Sequence, residues 1–175
     1  MSESHLNHGH LRMMARGDLD LVRGWRNHPD IRQFMLTRHE ITPEEHQRWF
    51  ERVSRDPDKH LLIFEQEGEP LGFVHFSGKV ASGSVDWGFY TSPTAPKGTG
   101  RKLGMAALDY AFCTIGCHKV CGQALAFNTA SIGFHLAMGF QQEGVLRQQS
   151  RIGDDYHDLI CFGLLRQEWL ERVGE

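Results

Sequence analysis

The stretch Ser84–Phe140 constrains the fold of this chain more than any other. It opens with the β-branched and aromatic run SVDWGFYT, turns through SPTAPKGTG, and continues as the apolar-striped segment RKLGMAALDYAF. The alternation then repeats with KVCGQALAF and NTASIGFHLAMGF. Strand, glycine-rich turn, helix, strand and helix in that order require a sheet with helices laid against it. In the first helix, roughly residues 99–116, Leu103, Ala106, Ala107, Tyr110 and Ala111 make one apolar face. Asn128 opens the second helix and Gly139 closes it.

The flanking segments agree with that frame. Residues 10–14 predict a first strand, and Asp18 an N-cap for LDLVRGW, with Leu21, Val22 and Trp25 on one face. Pro29 interrupts that helix and starts a short one. Thr42-Pro43-Glu44-Glu45 combines a hydroxyl cap, proline at the first helical position and glutamate three residues after the cap. His46, Trp49, Phe50 and Val53 follow as one helical stripe. HLLIFEQ and PLGFVHF read as strands joined at Glu67-Gly68, and Gly88 marks a bulge or a close backbone approach. Two last strands, near 140–150 and 156–165, form a hairpin around Gly153-Asp154. The expectation is a single α/β or α+β domain over residues 1–175, helices on both sheet faces, with residues 1–9 a mobile tail.

Composition removes several function classes. A net charge of −3 gives no general grip on nucleic acid or an anionic membrane. No apolar run reaches the ~20 residues of a membrane helix, and the first residues lack the basic-then-apolar order of a signal peptide. The expected setting is cytoplasmic, with Cys113, Cys117, Cys121 and Cys161 as reduced thiols. No Cys-x-x-Cys pair is present, so no metal is expected.

The glycine-rich turn poses the functional question, because free N–H groups and the helix dipole at such a turn suit phosphate. A P-loop needs G-x-x-x-x-G-K-[S/T], a spacing this stretch cannot supply. The dinucleotide fingerprint needs G-x-G-x-x-G and an acidic residue at the tip of the next strand. Gly98, Gly100 and Gly104 miss that spacing, and the next strand ends in AFNTAS. The third option is the acyl-coenzyme A loop [Q/R]-x-x-G-x-[G/A], which runs here over Lys97, Gly98, Thr99, Gly100, Arg101 and Lys102. Gly100 matches, Lys97 is a basic substitute, and Lys102 replaces the final small residue. Downstream, Asn128, Ser131, Phe134, Gly139 and Phe140 fit N-x-x-[A/S]-x-x-[L/F]-Y-x-x-x-G-F, with His135 at the tyrosine position.

On these two linked motifs the chain resembles the GNAT N-acetyltransferases. The resemblance implies a central mixed, mostly antiparallel sheet flanked by helices, with acetyl-CoA as co-substrate and no metal. It places the coenzyme's pyrophosphate on the amides of Gly98 to Lys102, with Lys97, Arg101 and Lys102 adding charge. Asn128 and Ser131 join as further coenzyme contacts. A backbone N–H near Phe89 or Tyr90 would polarise the thioester carbonyl, and Gly88 would let that strand splay. WRNHPDIRQFM, ITPEEHQRWF, GFVHFSG and DWGFYTSP extend the likeness to the N-acetyltransferases of pseudaminic acid biosynthesis, a pathway of flagellin glycosylation. Those enzymes acetylate the 4-amine of UDP-4-amino-4,6-dideoxy-N-acetyl-β-L-altrosamine. Arg26, His46, Trp49 and Tyr90 would then hold the acceptor, arginine meeting the diphosphate and tryptophan the base or sugar.

The departure from the pattern is His135. Either tautomer of an imidazole can present an N–H to the leaving sulfur, and a packed core histidine is the other option. No carboxylate stands out as base; His75 could hold a water or take the amine proton itself, or serve as hydrogen-bonded filler. Two further functions stay open: acetylation of peptide N-termini, as in ribosomal-protein acetyltransferases, and a non-catalytic module binding coenzyme A or a nucleotide. The oligomeric state is also open, a homodimer included.

Overall fold

The computed structural model describes residues 9–174, in which seven strands, His10–Met13 (β1), Lys59–Gln66 (β2), Glu69–Ser77 (β3), Ser84–Thr91 (β4), Lys119–Leu125 (β5), Gln141–Ile152 (β6) and Asp155–Leu165 (β7), follow the order β1-β2-β3-β4-β5-β7-β6. The tail expected at residues 1–9 lies outside the described residues except for residue 9. Pairing is antiparallel for β1–β2, β2–β3, β5–β7 and β6–β7, and parallel for β4–β5. The chain divides into two compact units, one holding the residues up to Ser77 with Gly88–Ala107, the other Gly78–Trp87 with the residues from Leu108 onward.

In the first unit, His10–Met13 (β1), Lys59–Gln66 (β2) and Glu69–Ser77 (β3) pair in sequence. Glu67 and Gly68 take positive φ, 54° and 79°, the left-handed pair that a two-residue hairpin needs. Leu19–Asn27 (α1), Pro29–Arg32 (α2) and Pro43–Val53 (α3) supply the helices. The expected cap of α3 is present: Glu45 N–H donates to Thr42 Oγ1 at 3.2 Å, and Thr42 N–H to Glu45 Oε2 at 2.8 Å. At α1 the expectation needs correcting. Asp18 occupies the N-cap position, but its carboxylate turns back to accept both guanidinium nitrogens of Arg12 and the Ala15 N–H. A charge-assisted bidentate pair outweighs one neutral cap bond. Leu21 is also not on the buried stripe; it is 43% exposed while Val22 and Trp25 are buried. Met14, Val22, Trp25, Phe50, Val53, Leu61, Ile63 and Phe73 form the core of this unit, with Trp49 and Tyr90 packed on its margin.

Ser84–Thr91 (β4) begins in the second unit and finishes in the first. Its ladder to Lys119–Leu125 (β5) runs from Ser84↔Lys119 to Asp86↔Cys121, ending before Gly88. Thr99–Asp109 (α4) passes into a wider π-type turn at Tyr110–Ile115, and Gly116 ends it at φ 78°. In the second unit Gln141–Ile152 (β6) and Asp155–Leu165 (β7) form the closing hairpin, Gly153 turning at φ 62°. Its register shifts between Leu146 and Ser150, where Gln148 takes φ 51° and its N–H donates to Asp158 Oδ1 at 2.8 Å. A helix that the sequence reading lacked, Arg166–Val173 (α6), ends the chain; its Trp169 donates from the indole to Asp109 at 2.8 Å.

Candidate active site

The acceptor residues expected from the resemblance all lie in the first unit, and there they meet. His46 stacks on Trp49 with ring centres 5.0 Å apart. Trp49 meets Phe73 edge-on at 6.1 Å, and Phe73 meets Tyr90 at 5.2 Å and His75 at 5.8 Å. Arg26 interacts with the Tyr90 hydroxyl and with Arg32. One guanidinium nitrogen of Arg26 donates to the Thr37 carbonyl, whereas Nη1 is buried with no partner, as are Arg23 Nε and His46 Nδ1. Burial lowers the pKa of the Arg26 guanidinium and of His46, and Arg23 and Arg26 push His46 further the same way. Burial drives the Tyr90 phenol the other way, well above its usual range. The cluster is therefore a desolvated patch walled by rings, with guanidinium donors of Arg23 and Arg26 that lack acceptors and the bare Nδ1 of His46 beside them. Sequence reasoning missed Arg23, Phe73 and Asn27. The Asn27 side chain bonds both the carbonyl and the N–H of Ile41 (2.8 and 2.7 Å), fixing the loop before α3.

The glycine-rich turn, also in this unit, has Gly98 at φ 92°. Thr99 is buried and its hydroxyl donates to the Pro96 carbonyl at 2.7 Å, while Lys102 N–H reaches Gly98 O at 3.3 Å. The amides of Gly100 and Arg101 have no backbone acceptor among the described residues, as at any uncapped helix start. A Cβ at Gly98 or Gly100 would meet nothing within 4 Å, so the side-chain space at both positions is open. Lys97 and Arg101 are exposed, whereas Lys102 Nζ donates to Gln66 at 3.3 Å. Phe89 follows Gly88 on β4, half-buried. Gly88 is glycine because of His75: a Cβ there would stand 2.3 Å from the imidazole Nε2.

The second unit holds the other motif. Asn128 caps Thr129–Ala137 (α5), its side chain accepting from Ser131 N–H at 3.2 Å. His135 is 2% exposed and engaged on both nitrogens. Nδ1 lies 2.8 Å from the Ser131 carbonyl, to which it donates, and Nε2 accepts the Trp87 indole N–H at 3.1 Å. Its ring stacks on Phe162 at 4.8 Å and 9°. This is the core-histidine arrangement, and the N–H expected to face sulfur is committed to Ser131. Gly122 carries the signal that could have revealed it, since a Cβ there would stand 2.5 Å from His135 Nε2 and 2.7 Å from Trp87 Nε1. A glycine inside a strand, like Gly88, marks a ring pressed against the backbone. The described residues contain no group of three or more His, Cys, Asp or Glu able to hold a metal, and no helix long and apolar enough to cross a membrane.

A mixed seven-stranded sheet flanked by helices, with an open glycine turn at the start of α4, agrees with the fold that the resemblance implies. Residues 10–141 match the acetyltransferase (GNAT) domain family, and the chain belongs to that family. It is 35% identical to acetyltransferase PseH of Campylobacter jejuni (serotype O:23/36, strain 81-176) over 95 residues, covering 54% of this chain and 59% of that protein. It is 22% identical to a spermidine N(1)-acetyltransferase of Vibrio cholerae over 165 residues, 93% of this chain and 95% of that one. The crystal structure of spermidine N-acetyltransferase from Vibrio cholerae with CoA and spermine superposes with a TM-score of 0.87 at 22% identity, covering 93% of this chain and 98% of that one.

Proposed function

We propose that this chain transfers the acetyl group of acetyl-CoA to the amine of an anionic acceptor, a UDP-linked aminodideoxy sugar of the pseudaminic acid type. The observation that carries the reading is the buried, unpartnered Nη1 of Arg26. A guanidinium donor removed from water without an acceptor costs about 1–3 kcal/mol or more, and a diphosphate oxygen would supply that acceptor. Arg23 and Arg32 extend the positive field, against Asp20 acting on His46 and Glu40 lying 3.7 Å from Arg32. A polyamine would meet guanidinium groups in this cluster, so likeness of fold to the spermidine enzymes does not carry their acceptor across. The partial match to PseH supports the sugar-nucleotide class.

The open amides of the Gly98–Lys102 turn fit a pyrophosphate, and Lys97 and Arg101 add charge beside it. Acetyl-CoA supplies the activated thioester, and the β4 backbone at Phe89 supplies the N–H that polarises its carbonyl. His135 we assign to the core rather than to proton donation. The engaged His135 also favours a second reading, a member that binds coenzyme A without transfer; release of free thiol with an amine acceptor separates the two.

UDP alone is the probe for the acceptor class. It should raise the melting temperature of the unaltered protein and leave Arg26→Ala unshifted. No shift in either protein removes the sugar-nucleotide reading.

A further inference from the structure

Two histidines that face the rings of the interior differ in their hydrogen bonding. His135 has a partner on each ring nitrogen. His75, on β3 between the buried Val74 and Phe76, has none among the described residues, and its ring is only half-buried. Its imidazole occupies the place where any side chain at position 88 would put its first carbon, with Nε2, Cε1 and Cδ2 at 2.3, 3.0 and 3.1 Å from that point. The ring is thus seated against the β4 backbone immediately before Phe89. It also ends the run of rings that passes through Phe73 to Tyr90 and Trp49, beyond which lie His46 and Arg26. An acceptor anchored at Arg26 by its anion and laid along these rings brings its far end to a histidine with a free lone pair.

We propose that His75 carries the proton of the transfer, taking it from the acceptor amine and delivering it to the departing sulfur. The inference rests on the acetyl-transfer reading above. As the amine nitrogen bonds the acetyl carbon, the carbon–sulfur bond breaks with its electron pair on sulfur. One proton passes from nitrogen through the imidazole to that sulfur, and nothing is oxidised or reduced. The proton is taken only as the nitrogen bonds the acetyl carbon, when its N–H is far more acidic than in the free amine, and the surroundings favour its onward transfer. Burial, with Lys59 of β2 adding to it, pushes the His75 pKa down to about 4, so the ring arrives neutral. Across from it β4 presents the Gly88 backbone and the un-ionised Tyr90, and among the described residues no carboxylate acts on the ring to steady its cation. Once protonated, such an imidazole is a far stronger acid than a thiol of pKa about 8.5, so passing the proton to sulfur is downhill. A single residue then covers both the base, a role the sequence left open for His75, and the acid that His135 is not placed to be.

The test compares the unaltered protein with His75→Ala and His75→Gln, using acetyl-CoA and the fastest amine acceptor and reading free thiol. Both variants should lose about 10²–10⁴-fold in kcat with the KM for each substrate little changed. Acetyl-CoA should still raise the melting temperature of the glutamine variant, showing that it folds. Added imidazoles should restore turnover in His75→Ala, faster with the more basic members of a size-matched series. Turnover in either folded variant close to that of the unaltered protein overturns the role of His75 alone. So does rescue that follows ring size and ignores basicity, which would make the ring a spacer. If the unaltered protein acetylates no amine, the acetyl-transfer reading itself falls.

Discussion

The indole N–H of Trp87 donates to Nε2 of His135 across 3.1 Å inside the second unit. That bond sets the tautomer, because a nitrogen that accepts cannot also carry the proton. The remaining N–H then goes to the Ser131 carbonyl at 2.8 Å. Gly122 makes room for both rings. The position that resembles a catalytic tyrosine is thereby taken up in holding α5 against β4 and β5.

Replacing His135 should therefore be a stability change before it is a catalytic one. His135→Phe removes the acceptor of the Trp87 N–H, and should lower the unfolding free energy by about 1–3 kcal/mol. Below its melting temperature the variant should keep kcat within about threefold. Urea denaturation and steady-state kinetics on one preparation check both halves. A loss of about 10² or more in kcat from a variant of unchanged stability would return His135 to the chemistry.

Acid should weaken the fold earlier than its carboxylates alone would. His46, His60, His75 and His135 are all held below the ordinary histidine pKa by burial. Below about pH 6.5 the unfolded chain binds protons that the folded chain refuses. Stability is thus full above that pH and falls as pH drops, the His75 share continuing to about 4. Asp18 and Glu45, held below their ordinary values of 3.8 and 4.5, add to the loss as pH falls through and below those values. The urea midpoint should be lower at pH 5 than at pH 7.5, and less so in His75→Gln. An equal or higher midpoint at pH 5 contradicts the buried neutral histidines.

Gly100 separates folding from coenzyme binding. A Cβ there touches nothing in the protein, and its φ is not positive, so Gly100→Val should fold with little loss. Acetyl-CoA at ~100 times its dissociation constant should stabilise the unaltered protein by about 2.7 kcal/mol. The valine should remove most of that by standing where phosphate approaches the amides. Full stabilisation of the variant would remove the turn from the coenzyme site.

The fold was legible wherever local chemistry decides. Thr42 with Glu45, Glu67-Gly68, Gly116 and Gly153 all act through their own backbone, and each element boundary they imply is present. What failed depended on distant partners. Asp18 reads as a simple cap until Arg12 arrives from β1. Leu21 fits the apolar stripe of α1 by spacing, yet the core of its unit is already filled by Val22 and Trp25. The final helix has no spacing signal beyond Trp169, whose partner Asp109 lies sixty residues earlier. At the site, the residue types of Arg26, His46, Trp49 and Tyr90 were readable. The unpartnered Nη1 of Arg26 and the two bonds on His135 were not, because hydrogen-bond satisfaction is a property of the packed state.

The charge of the acceptor is the central claim, and a competition among acceptors tests it most directly. With acetyl-CoA saturating, kcat/KM should be compared for UDP-4-amino-4,6-dideoxy-N-acetyl-β-L-altrosamine, spermidine and an N-terminal peptide. The UDP-sugar should be fastest, and Arg26→Ala should reduce its use by roughly 10–150-fold, the loss of one arginine–phosphate hydrogen bond. Acetyl-CoA binding should be unchanged in that variant. Faster acetylation of spermidine or the peptide, with the UDP-sugar indifferent to Arg26→Ala, would contradict the account.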